Sequence, residues 1–411
     1  MRDINSNKSN AGGYVLACLA AAFLTLLTAM VLQQAPQLGE LGNRPVMFIG
    51  FMCFNVLLLL LGSLWSIHGK AHIQGLLTAS SLLLGIGSAY QFLYDGYLKY
   101  LIMVLIGLVL GVVTYLFLRR HSRLPNKWFY SLVGLIVCLL VANFLWGTDY
   151  GTGARLWISF GFFSFQPGEA VKVLLILLGA CAYRNTRRGL VYCACALGSC
   201  GALMLLRDLG GAVVVFGVFV LMTYLLFDSR KLSLGIITVA VLVFLVALKL
   251  VSYAAQRIDN WTHVMTLADT WQQREFITAT LLGGFRGLGL GNAHHFTEIF
   301  ASREDGAIAG VMAIYGVPMV CVAIGSYALL MAQPLYNRAV YPSNYLIMSQ
   351  VSALIFCQVI LNFAGSLDLL PFTGVNGPLI SAGGSSAICF CVLLGMIAAS
   401  LHPAVKTKKE E

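Results

Sequence analysis

Charge is what this 411-residue chain has least of. Lys, Arg, Asp and Glu make up 10% of it and apolar residues 59%, against about 25% charged in a typical soluble domain. That shortage excludes an ordinary soluble fold, whose surface demands far more charge. The apolar residues come in runs that reach bilayer length, about 20 residues at about 1.5 Å rise each. No alternating strand pattern marks a barrel, and hydrocarbon offers backbone groups no other partner, so the spanning elements must be helices. The eleven cysteines mostly lie within those runs and form no CxxC pair at zinc-like spacing. A net charge of +10 without a basic patch on a soluble domain gives no reason to invoke nucleic acid. The first run is too long for a signal-peptide core and lacks a small-residue cleavage site, so it counts as a span.

These features predict an all-α, polytopic integral membrane protein with about twelve transmembrane helices. The expected spans are 14–33, 45–64, 74–94, 99–118, 128–146, 168–183, 189–206, 211–227, 231–252, 307–332, 346–364 and 379–401. With the N-terminus inside, sixteen of the 26 Lys and Arg residues fall in inner segments, eight in outer ones and two, Lys172 and Lys249, in spans. This asymmetry in short loops puts both termini on the cytoplasmic side. Eleven of the sixteen acids then lie outside. Acids contribute little to topology, so their enrichment places the polar chemistry on the outer face.

Four outer segments concentrate that chemistry. The first runs from Trp146 to Lys172, with helix breakers Gly151, Gly153 and Pro167 and an aromatic belt from Trp157 to Phe165 around Arg155. Arg155 is either an interface anchor or a cation for a lipid phosphate. Glu169 and Lys172, three apart, share one helix face. Charges at that depth pair with each other or line a cavity, and cavity lining is the preferred reading. The second segment, Arg207–Gly211, is too short to carry its charges far, and Asp208 fits a helix cap. The third, Tyr253–Gly306, exceeds fifty residues, a length usual for functional loops. Its glycine-rich run Gly283–Gly291 follows a helix expected at Trp271–Leu282, and no strand precedes it, so it fails as a dinucleotide site. His294 and His295 are adjacent, a poor chelating spacing. The fourth carries Asn362, Pro371, Gly374, Pro378 and Gly383-Gly384-Ser385-Ser386, with no His or Asp nearby that would make a hydrolase triad of a serine.

In order, Gly153-Ala154-Arg155-Leu156-Trp157, Phe163–Glu169 with Lys172, Arg207–Gly210, the glycine-rich run with the late Asp305, and Gln358, Asn362, Leu370-Pro371, Thr373–Val375 through Ser386 resemble the SEDS family of RodA/FtsW-type cell-wall polymerases. The match covers about residues 147–401. It divides the chain into 1–127, with one helix pair more than the family has, and a SEDS-like core, 128–411, with its long extracellular loop 253–306. There are departures. Arg303-Glu304-Asp305-Gly306 stands where the family has His-Thr/Ser-Asp-Phe, Ala313-Ile314 replaces a glutamate pair, Arg207 replaces a proline and Ala382 a tyrosine.

The resemblance implies a peptidoglycan glycosyltransferase that polymerises lipid II into β-1,4 glycan on the outer face of the bacterial cytoplasmic (inner) membrane. Its donor bond is α and its product β, so one inverting displacement is expected. Asp305 would take the acceptor proton. Glu169, Lys172, Asp208 and Ser385 would line the cavity, with Arg155 toward the pyrophosphate. A divalent cation, Mg or Mn, could share that last task, although no ligand set is legible. The expected partner is a class B penicillin-binding transpeptidase. Two alternatives remain: a catalytically silent scaffold for such a partner, and a lipid-linked-precursor flippase. A transporter should tolerate Asp305→Asn better than Glu169→Gln; a polymerase should lose activity with either.

Overall fold

The computed structural model describes residues 2–38, 41–66, 71–121, 128–149, 153–161, 163–227, 229–266, 270–292, 296, 298–299, 302–336 and 342–401. The helices are α1 (Arg2–Gln34), α2 (Arg44–Ser66), α3 (Ala71–Gln91), α4 (Tyr97–Arg120), α5 (Trp128–Trp146), α6 (Pro167–Ala182), α7 (Thr186–Leu205), α8 (Leu209–Leu226), α9 (Arg230–Leu250), α10 (Ser252–Thr262), α11 (Trp271–Gly283), α12 (Ala307–Met331), α13 (Pro342–Ser366) and α14 (Gly384–Ser400). A two-residue hairpin, β1 (Ile158–Ser159) against β2 (Ser164–Phe165), is antiparallel.

The chain is an all-α polytopic membrane protein. Among the described residues ten helices are long and apolar enough to cross a bilayer. The other two of the twelve expected segments are α6 and α14, of 16 and 17 residues. At about 1.5 Å per residue they reach only about 25 Å, short of the roughly 30 Å hydrocarbon core. Both are cut short at the same end of the bundle: Pro167 opens α6 at a first-turn position that needs no N–H, and α14 begins behind Gly383. The lost turns are where the polar loops enter.

One long apolar core joins α1–α4 to α12, α13 and α14, and a second holds α5–α9. The tightest seam is α4 on α14. A Cβ at Gly107 would sit 3.0 Å from Ile388 Cα and one at Gly111 2.5 Å from the Cys391 carbonyl oxygen; one at Gly395 would run into the Gly111 carbonyl oxygen. This is close helix approach through small residues, which membranes favour because lipid gives helices no hydrophobic push together.

The span expected at 307–332 is not one straight helix. Gly316 takes φ 76°, followed by Pro318, so α12 breaks there. The glycine-rich segment repairs the break: Leu288 N donates to the Ala313 carbonyl (2.8 Å), Gly289 N to Ile314 (3.0 Å), and Val317 N to Gly284 (3.2 Å). Backbone freed inside a bundle needs such partners. Gly284, Gly287 and Gly289 all have positive φ, and a Cβ at Gly287 would run into the Ile314 carbonyl oxygen. Glycine is required there by backbone approach, not by a phosphate.

Gly395→Ala should destabilise the fold by about 1–3 kcal/mol, because the clashing atoms are backbone and cannot turn away. Gly198→Ala, whose Cβ meets nothing within 4 Å, should be neutral or slightly stabilising. Thermal unfolding in detergent compares them, and equal melting of the two variants would refute this account of the seam.

Candidate active site

The ends of α3, α6, α8, α12, α13 and α14 meet at one end of the bundle, and the turn 302–306 lies at their centre. Each backbone carbonyl of that turn up to Asp305 has a partner on another element. Tyr90 Oη donates to the Ser302 carbonyl (2.6 Å) and Gln91 Nε2 to Arg303 (3.0 Å). Ala382 N also donates to the Arg303 carbonyl (3.1 Å). Ser381 Oγ donates to Glu304 (2.5 Å) and Asn362 Nδ2 to Asp305 (2.9 Å). Gly306 stands directly before α12. A side chain there would collide with the Phe276 ring of α11, which is fully buried. Phe276 thus fills the space a larger residue at 306 would need.

Asp305 is half-buried beside the Thr373–Val375 loop, its Oδ2 3.3 Å from where a Gly374 Cβ would stand. Burial pushes its carboxyl up to about 7; Glu304 and Asp208 push the same way and Arg257 opposes them. Asp208 lies on the other side of that loop: a Cβ on Gly210 would meet Thr373 and Val375. Asp208 does cap α8, accepting from Gly211 N at 2.7 Å. Burial raises its pKa, with Lys172 pulling it down.

Glu169 and Lys172 bond to each other at 2.7 Å, both under one-tenth exposed. They form a buried ion pair instead of standing free in an open cavity. Ser385 meets this group through Gln166, whose N donates to Ser385 Oγ at 3.3 Å. Arg155 is exposed on the hairpin loop and does not join them.

A polar cavity of about 110 Å³ opens beside the turn, lined by Lys99, Gln166, Arg303, Glu304, Asn376 and Ser385 among others. Glu304 faces it; Asp305 lies on the adjoining face. Arg303 is fixed by Gln91 Oε1 (3.1 Å), the Gly96 carbonyl (2.7 Å) and the Tyr94 ring. Desolvation raises the Glu304 pKa, and the Arg303 and Lys99 charges oppose that rise. On the Asp305 side, Arg257 of α10 donates to the Phe372 carbonyl and stacks on Tyr253. Sequence reasoning passed over Lys99 and Arg257 as site residues and met Arg303 only as a departure from the family pattern, because the partners of Arg257 and Arg303, Phe372, Gln91 and Gly96, lie far away in the chain.

Among the described residues no three His, Cys, Asp or Glu side chains assemble to hold a metal ion. His294 and His295 lie outside the described residues.

Lys172→Met alone should cost about 3–5 kcal/mol, because it strands a buried carboxylate. Adding Glu169→Gln should restore most of that, as both charges are then gone. Thermal unfolding of the single and double variants decides it; a double variant no better than the single would show that the pair is not the source of the loss.

The chain resembles FtsW and RodA proteins throughout this region. It is 28% identical over 336 residues to a probable peptidoglycan glycosyltransferase FtsW of Coxiella burnetii, covering 75% of this chain and 86% of that one. It is 24% identical over 331 residues to the peptidoglycan glycosyltransferase RodA of Mycobacterium tuberculosis, covering 74% and 70%. A solved peptidoglycan synthase complex that coordinates polymerization and crosslinking contains a chain with TM-score 0.64 and 25% identity, covering 80% of this chain and 96% of that one. The model of the cell cycle protein family FtsW/RodA/SpoVE matches residues 63–404, and the protein belongs to that family.

Proposed function

We propose that the protein is a peptidoglycan glycosyltransferase of the bacterial inner membrane, its polar end outward, with Asp305 as general base. The observation that carries this is the Asp305 turn. A carboxylate with a pKa near neutrality sits on a turn whose carbonyls are held by three other segments, beside a cavity with two cations. The orientation rests on the Lys and Arg asymmetry of the loops.

The reaction follows from these groups. The acceptor 4-hydroxyl of lipid II gives its proton to Asp305 Oδ and attacks the donor anomeric carbon. The new C–O bond forms as the anomeric C–O bond to the pyrophosphate breaks, inverting the α linkage to β. A base with pKa near the working pH balances proton affinity against availability, and such assistance supplies about 10²–10⁴-fold. Lys99 and Arg303 take the place first expected of Arg155 and neutralise the departing pyrophosphate. Preorganised charge at a leaving group often accelerates a reaction more than the base does. Because Arg303 is already oriented by Gln91 and Gly96, it need not reorganise as charge develops. The Glu169–Lys172 pair supports the floor of the site and sets the field on Asp208.

A class B transpeptidase is the partner this reading implies, supported by the resemblance to a chain of a synthase complex. The test is glycan-strand formation from purified lipid II by the detergent-solubilised protein, with and without a class B transpeptidase from the same cells. Asp305→Asn should lower turnover by at least about 10²-fold. A base must be deprotonated to act, so wild-type turnover should rise with pH through a midpoint near 7 and level off above it. A midpoint near the ordinary carboxylate value of about 4 would remove Asp305 from that role. No polymer even with the transpeptidase and divalent ions would overturn the polymerase reading in favour of a scaffold.

A further inference from the structure

The family match begins at residue 63, leaving α1 and nearly all of α2 outside it. At the polar end these two helices do not stop in solvent. α1 ends at Gln34 and passes into a single 3₁₀ turn, Ala35–Leu38. Gln34 Oε1 accepts a hydrogen bond from Leu290 N at 2.8 Å. A Cβ on Gly291 would run into the Gln37 side chain. Leu290 is fully buried, as is Val31 one turn back on α1. Leu288 and Gly289, immediately before, donate to the open carbonyls of α12. One unbroken path therefore joins the end of α1 to the helix that starts two residues after Asp305.

α2 reaches the same turn from the other side. Its first residue, Arg44, pairs with Asp95, and the adjacent Gly96 carbonyl holds Arg303. Phe48 packs on Phe92 at 5.2 Å and on Tyr97 at 6.5 Å between ring centroids. The Arg44–Asp95 pair carries little by itself, since Asp95 is 97% exposed and such pairs contribute almost nothing. The ring packing and the Gln34 bond carry the contact.

We propose that α1 and α2 are positioning elements: α1 holds the glycine-rich segment against the break in α12, the helix that follows Asp305, and α2 holds the 94–97 turn against Arg303 of the Asp305 turn. The segment needs such a hold. Three glycines with positive φ give it a large conformational entropy to lose, and its backbone bonds among the described residues tie one face to α12. Closing the other face with α1 keeps the segment on the broken helix that starts after Asp305. The claim about turnover rests on the polymerase reading; the claim about loop order does not.

The experiment uses the full chain in detergent, with Gln34→Leu, which lacks the acceptor oxygen, and Gln34→Glu, which keeps it. Hydrogen exchange of the 286–292 backbone and steady-state polymerisation of lipid II are measured on each. Gln34→Leu should speed exchange of that segment about tenfold, the loss of one half-buried hydrogen bond. It should lower kcat several-fold and leave KM for lipid II unchanged, and Gln34→Glu should restore both. Unchanged exchange in Gln34→Leu overturns the brace. Faster exchange with unchanged kcat overturns the positioning role. A wild type that makes no polymer refutes the polymerase reading, and exchange alone then decides whether α1 holds the loop.

Discussion

Four successive carbonyls, from Ser302 to Asp305, are each held by a side chain from another segment: Tyr90, Gln91, Ser381 and Asn362. The rest of the polar end depends on this clamp. A short irregular turn between apolar helices would otherwise be free to swing, and a half-buried acid would turn toward solvent. With the carbonyls taken by donors on α3, α13 and the loop before α14, the Glu304 side chain lines the polar cavity and Asp305 Oδ2 lies beside Gly374. The donors are themselves fixed. Asn362 also holds the Val375 carbonyl (2.6 Å), and Ser381 accepts from Gly377 N (2.8 Å). The loop that passes Asp305 and the turn that carries it are thus built as one piece.

The membrane explains why the clamp is made of side chains. Hydrocarbon tolerates irregular backbone only where protein supplies the partners water would have given. At this end of the bundle α12 is broken and both α6 and α14 are short, so many backbone groups lose helical partners together. The same crowding of irregular backbone produces strain. Leu379 is held at φ 63°, a conformation that non-glycine residues adopt only at a cost. Its carbonyl is fixed by Tyr100 Oη (3.1 Å) and the neighbouring Pro378 carbonyl by Tyr327 Oη (2.5 Å). Tyrosines buried in the bundle thus turn their hydroxyls to the loop that shapes the site.

Much of this was legible from residue order. The helices were, because apolar runs of bilayer length admit little else. So were the cap at Asp208, the shared face of Glu169 and Lys172, and Asp305 at the threshold of a helix, since each is a local relation of a few residues. Arg155 and the cations were not. An arginine among aromatics looks equally suited to a headgroup or a phosphate until the hairpin turns it outward. Lys99 reaches the turn from a distant part of the chain, and Arg257 and Arg303 meet their partners Phe372, Gln91 and Gly96 across more than a hundred residues. The glycine-rich segment had a readable cue, Pro318 inside a span, but its meaning needed the break at Gly316 and the particular carbonyls it exposes.

Glu304 shows how a departure from the family pattern can be absorbed. A second acid beside Asp305 adds repulsion to the burial that already raises its pKa, which at a loosely held turn would favour the protonated carboxyl. Here the adjacent departure, Arg303, opposes it: the guanidinium lowers the Glu304 pKa and is kept in place by Gln91 and Gly96. The two changes therefore make sense only together. Neutralising Arg303 alone would leave two adjacent carboxylates competing for one proton. The Asp305 turn keeps its charge balance through residues that no single motif contains.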